Sequence, residues 1–219
     1  MTTAPELPLA DATAMTRFHR IFREALDGVP VFVGAAPADD AARAEHVGSY
    51  YDNVLRLLHA HHEAEDLTIY PMMVERLPEH VEVIERVNAE HETVLGSLGA
   101  AEQAVASWRA DPSADSRDSA AAALESMGAI LLEHLDHEEA EVVPLIGRCI
   151  NVAEWGQMSA VAFQHFSGDK VWLAVGLIQE QLLASENETM EANMPPPVHD
   201  FWTNTGRGMF ENYVAELRG

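Results

Sequence analysis

Apolar side chains recur three and four positions apart along four long stretches of the 219-residue chain, the spacing of helices that each turn one face inward. The first stretch, about 11 to 28, runs through Met15, Phe22 and Leu26 and is stopped by Gly28 and Pro30. The second starts near Asp39, follows Val47, Tyr51, Val54, Leu58 and Met72, and ends before Pro78. The third carries Ile84, Val87, Val94, Leu98, Ala101 and Val105 and is closed by a polar DPSADSRD loop from Asp111 to Asp118. The fourth carries Leu124, Met127, Leu131, Val142 and Leu145. Alternation of the strand type is nearly absent, apart from Val29 to Val33. The predicted class is all-α. Short links after the second and third stretches favour antiparallel neighbours, so the expectation is an up-down-up-down antiparallel four-helix bundle over 1–150.

The remaining residues, 151–219, read as a C-terminal extension of shorter helices, about 152 to 166, 170 to 190 and 198 to 217. The stretch NMPPP, Asn193 to Pro197, must interrupt any helix there. Trp155, Trp172 and Trp202 fall in this part, and their expected role is packing on the bundle as a lid or forming a homodimer face.

The apolar stripes are broken at matching places. His19, His61, His91 and His134 each interrupt one stripe, and Glu65 and Glu138 follow one turn after His61 and His134. Residues i and i+4 share a helix face, so these polar groups point into the predicted bundle. Burying ionised carboxylates without partners costs several kcal/mol each. A cation shared by the four helices would offset that cost.

Chance alone predicts about 1.8 His-x3-acid pairs for this composition, against six present: His59/Glu63, His61/Glu65, His62/Asp66, His134/Glu138, His137/Glu141 and His165/Asp169. An internal repeat selects among them. HHEAEDLTIYP, 61–71, and HLDHEEAEVVP, 134–144, share the frame His-x3-Glu-x5-Pro. His19 and His91 lie 72 residues apart, and His61 and His134 lie 73 apart, so two helix pairs repeat the same order. Glutamate with histidine three residues later, the ferritin-type pattern, occurs nowhere in the chain.

Charge narrows the partners. With 13 basic and 36 acidic residues the net charge is -23, which disfavours nucleic acid and anionic membrane surfaces. The start lacks a basic region followed by an apolar core, and no apolar run approaches the roughly 20 residues of a membrane span, so the expected location is cytoplasmic. The single cysteine, Cys149, excludes an internal disulfide and a multi-cysteine zinc site and is expected as a small buried residue near a helix end.

His19, the run from His61 and Glu65 to Tyr70-Pro71, the triplet Glu90-His91-Glu92, and the run from His134 and Glu138 to Val143-Pro144 together resemble the hemerythrin-like family with its HHE cation-binding motifs. The resemblance covers about 10 to 150. It implies a four-helix bundle holding two iron ions in a non-haem centre, with His19, His61, His91 and His134 as terminal ligands and Glu65 and Glu138 as bridging carboxylates. Nitrogen and oxygen donors by themselves suit iron, manganese or zinc. Animal members carry a fifth histidine one turn away on the third helix, whereas Val87 and Leu95 stand there in this chain. Solvent, a neighbour such as His62, or nothing fills that place.

Six protein ligands leave coordination positions open, so the implied partner is a small ligand: oxygen, nitric oxide or peroxide. The expected function is sensing, storage, delivery or detoxification. A di-iron peroxidase, catalase-like or nitric-oxide-handling enzyme is the alternative, and a metal-free helical interaction module a third. Among other residues, Glu63, Asp66, Glu139 and Glu141 read as a solvated face or as acceptors that orient imidazoles. His46, His59, His80 and His137 fall off the stripes, with His137 a weaker candidate for such support. Pro71 and Pro144 should kink or end their helices. Tyr51 and Tyr70 read as core packing, and His165 and His199 as non-ligands.

Overall fold

The computed structural model describes residues 7–219, and among them the chain is all-α, with one isolated backbone bridge between Leu9 and Asn151. Helix α1 spans Thr13–Asp27 and α2 spans Ala41–Ala64, the latter capped by Asp40, whose carboxylate accepts the Arg43 N–H at 2.9 Å. Between them, the Val29 to Val33 stretch enters a π-helical turn, Pro30–Gly34, with Val29 and Val33 buried and Val31 exposed. Helix α4 runs Val81–Ala110 and α5 runs Ala114–His137. Their link is shorter than the sequence suggests: Ser113 Oγ accepts the Ser116 N–H at 3.3 Å and starts α5 inside the polar stretch assigned above to a loop.

Beyond Glu65 and beyond Glu138 the helices do something periodicity does not announce. Each passes through a π turn, Glu65–Ile69 and Glu138–Val142, before resuming as α3, Tyr70–Arg76, and α6, Val143–Cys149. Pro71 and Pro144 have no N–H to donate, and their rings would clash with a carbonyl one α-turn back. A turn with one extra residue relieves the clash, with the Tyr70 N–H reaching Glu65 O and the Val143 N–H reaching Glu138 O. The prolines therefore shift the helical register and do not end the helices.

Helix α2 packs on α1 and α4, α4 packs on α5, and α5 returns to α1. The apolar side chains between them form two clusters, not one. Phe22, Tyr51, Leu58, Val94, Leu98, Leu124 and Leu131 belong to the first, and Met15, Ala64, Tyr70, Met73, Ile84, Val87, Val142 and Ile146 to the second. Each polar interruption read from the sequence falls between them: His19 between Met15 and Phe22, His61 between Leu58 and Ala64, His91 between Val87 and Val94. The core is thus cut by a polar layer.

Five further helices follow: α7 Val152–His165, α8 Val171–Gln181, α9 Ala184–Asn193, α10 Pro196–Phe201 and α11 Arg207–Arg218. The helix expected over 170 to 190 is broken at Leu182 and Leu183, both extended, because Glu186 turns back to accept the Leu183 N–H at 2.7 Å and opens a new helix. Helix α7 lies along α2 and its π turn, α8 lies on α1 and α2, and α11 lies on α8. Trp202 is buried against Phe210, and Trp172 meets Tyr213 edge-on. No helix among the described residues is long and apolar enough to cross a membrane.

Candidate metal centre

All six residues singled out by the sequence lie in the polar layer, and all are buried: His19, Glu65 and Glu138 at 0 %, His61 at 1 %, His134 at 2 % and His91 at 5 % exposure. Donor atoms of His19, His61, Glu65 and Glu138 lie within 4.8 Å of one another, and those of His62, His91 and His134 form a second such group. Glu65 stands between the groups. Its Oε1 is 3.5 Å from His61 Nε2 and its Oε2 is 3.9 Å from His91 Nε2. Glu138 also faces both, with Oε2 at 3.3 Å from His19 Nε2 and 3.8 Å from His134 Nε2.

What these atoms lack is as telling as where they sit. Nε2 of His62, His91 and His134, both oxygens of Glu65 and Oε2 of Glu138 are buried with no hydrogen-bond partner. Each such group normally costs about 1–3 kcal/mol, so a layer of them is tolerated only where something else satisfies the lone pairs. The donor set, imidazole nitrogens outside and carboxylates between, fits a pair of divalent cations. Two cations close together repel, and shared carboxylates screen that repulsion.

The far sides of the imidazoles are tied down. His19 Nδ1 donates to Glu139 at 2.9 Å, His91 Nδ1 to Asp66 at 2.7 Å, and His134 Nδ1 to Glu90 at 3.3 Å. Such bonds fix the tautomer that leaves Nε2 free to bind a metal. Glu90 also receives His137 Nδ1 at 3.0 Å, which links that half-exposed histidine to the layer. Glu63 instead pairs with His165 at 2.9 Å, and Glu141 pairs with Arg86 at 2.7 Å, so neither acid supports an imidazole of the layer.

Burial and charge divide the protons unevenly. Burial pushes the imidazoles of His61 and His62 well below their ordinary range, with neighbouring histidines adding to the effect, so both are neutral. Burial would also depress His19, but the Glu138 and Glu139 carboxylates against its two nitrogens outweigh it and raise that imidazole. Glu65 is pushed well above the carboxylate range by burial, then by the charges of Glu138 and Asp66. Burial acts the same way on Glu138, yet the His19 imidazole 3.3 Å away and the other imidazoles around it hold it below that range. Two carboxylates in one layer do not both ionise easily.

Two residues of the site escaped the sequence reading. Tyr70, assigned to core packing, donates its hydroxyl to Glu138 Oε1 at 2.9 Å. The π turn accounts for this, since one extra residue per turn brings Tyr70 round to the face that Glu65 occupies. Tyr51 does pack in the core, with its hydroxyl on Ala25 O at 2.8 Å. Glu90 was visible only as a neighbour of His91, and its reach across to α5 depends on how the helices cross. His62, left open by the sequence, is buried in the layer. His165 and His199 lie outside both donor groups.

Comparison with known proteins adds one finding. A family model described as hemerythrin HHE cation binding domain matches residues 10–146. No curated protein and no solved structure matches the chain.

Proposed function

The chain belongs to the hemerythrin HHE cation-binding domain family, and we propose that its polar layer holds two iron ions and offers them to a small exogenous ligand: oxygen, nitric oxide or peroxide. The observation that carries the reading is the convergence of donors left without a hydrogen-bond partner, Nε2 of His91 and His134 with both Glu65 oxygens and Glu138 Oε2, in one buried layer. In this reading His19, His61, His91 and His134 would hold the ions through their imidazoles and Glu65 and Glu138 through their carboxylates, with α1, α2, α4 and α5 as an up-down bundle around them. When bound, the two irons supply Lewis acidity and one-electron redox capacity to the ligand.

The chain's own residues shape that chemistry. The apolar clusters on either side of the layer keep bulk water away from it. Asp66, Glu90 and Glu139 orient the imidazoles by accepting their Nδ1 protons. Tyr70 holds one Glu138 oxygen, so the other faces both donor groups. The protein would act in sensing, storage, delivery or detoxification of the ligand.

The test is the iron content and optical spectrum of protein purified from iron-replete cells, before and after azide. Two irons per chain and charge-transfer bands that shift with azide support the reading. Iron-free protein, or bands indifferent to azide, would overturn it. Sustained turnover of peroxide or nitric oxide, lost in His61→Ala, would make the protein an enzyme at the same site.

A further inference from the structure

We infer that His62 is a fifth imidazole ligand, and that His61 and His62, adjacent in the chain, bind different metal ions. This rests on the two-ion reading of the layer and assigns a residue that the repeat itself does not mark, since Leu135 occupies the equivalent place after His134.

Burial is the first support. His62 is 6 % exposed, and its Nε2 has no hydrogen-bond partner. A histidine kept only to fill space would leave that lone pair unsatisfied, where leucine or phenylalanine would fill the same volume without the penalty. Its surroundings give the second. The His62 ring stacks on His91 at 4.2 Å and 7°, and meets His134 edge-on at 5.0 Å and 85°. Nε2 is unpartnered in all three rings, and the three residues form one donor group within 4.8 Å. Three imidazoles whose donor nitrogens lie this close together can cap one face of a single cation.

The helix explains how neighbours serve two ions. Successive residues on an α-helix diverge by about 100°, so His61 and His62 project from opposite flanks of the buried side of α2. His61 turns to α1, where its Nε2 lies 3.1 Å from His19 Nε2, while His62 turns to α4 and stacks on His91. Glu65, one turn on, presents one oxygen to each side. Helix α2 and the first residue of the π turn that follows it therefore contribute three ligands and span the pair. The donors divide unequally, with His19 and His61 on one ion and His62, His91 and His134 on the other, and both carboxylates shared.

Cobalt(II) tests the assignment. Wild-type protein and His62→Ala are loaded anaerobically and desalted, and the metal per chain is measured with and without added imidazole. The expected result is two ions in the wild type, with the second bound more than about a hundredfold more weakly in His62→Ala and restored by imidazole. A wild type with two ions and a variant that binds both unchanged would overturn the role of His62 and leave the two-ion reading standing. A wild type that binds no ion in the layer overturns both. Proton NMR of dicobalt wild type needs no variant: five paramagnetically shifted imidazole N–H signals support the assignment, and four contradict it.

Discussion

The Tyr70 hydroxyl donates to Glu138 Oε1 at 2.9 Å, and the same carboxylate's Oε2 stands between His19 and His134. One bond from the π-turned end of α2 thus sets which oxygen of a residue on the α5 side faces the donor groups. Tyr70→Phe removes that donor and leaves a buried carboxylate oxygen unpaired. The expected loss is about 1–3 kcal/mol of stability, read from urea unfolding. An unchanged midpoint would mean that the hydroxyl contributes nothing.

Glu65 separates metal binding from folding. Burial and the nearby Glu138 charge raise its carboxyl well above the ordinary range, so in chelated protein Glu65→Gln, a neutral side chain of the same shape, should change stability by less than about 1 kcal/mol. Iron should then stabilise the wild type by about 4 kcal/mol at a thousandfold excess over its dissociation constant and the variant far less. Melting with and without chelator measures both. A variant stabilised by iron as strongly as the wild type would remove Glu65 from the ligand set.

Metal uptake should release protons. Glu65 and His19 both hold protons to higher pH than usual, Glu65 through burial and His19 through its carboxylate partners. A cation must displace them. Apparent affinity therefore falls as the pH drops below these raised values, by about tenfold per pH unit for each proton displaced. Titration of iron(II) or zinc into weakly buffered protein shows it as acidification. Uptake without acid release would contradict the protonation assigned to the layer.

Much of this was legible in the sequence, and the reasons are specific. His19, His61, His91 and His134 lay in phase with apolar stripes that the fold does bury, and the His-x3-Glu-x5-Pro repeat chose Glu65 and Glu138 over other acids. Periodicity of 3.6 assumes an unbroken α-helix, however. The π turns after both glutamates break that assumption, so Tyr70 seemed to point elsewhere. Glu90 and His62 act across helix boundaries, Glu90 on α5 and His62 against α4, and no single-helix pattern reports what lies on the neighbour. The break at Leu182 and Leu183 was missed because it is set by Glu186 turning back to cap the Leu183 N–H, a contact that periodicity does not register.

Away from the layer, Glu154 ties α7 to α3. The Arg76 guanidinium, and then the Asn151 N–H, hold its carboxyl down at about 2 from an ordinary 4.5. A depressed acid stabilises the fold above its unfolded value and loses that contribution as pH falls through the folded one. Glu154→Gln should therefore be less stable than the wild type at neutral pH, with the gap in urea midpoint closing between about 4.5 and 2. A gap that stays constant with pH would assign the effect to packing.

The most direct test of the central claim is anomalous diffraction at the iron edge from crystals of iron-replete protein. Two anomalous peaks are predicted, one beside His19 and His61 and one beside His62, His91 and His134, with Glu65 and Glu138 between them. A layer without peaks in iron-loaded crystals, or iron bound only elsewhere on the chain, would contradict the account.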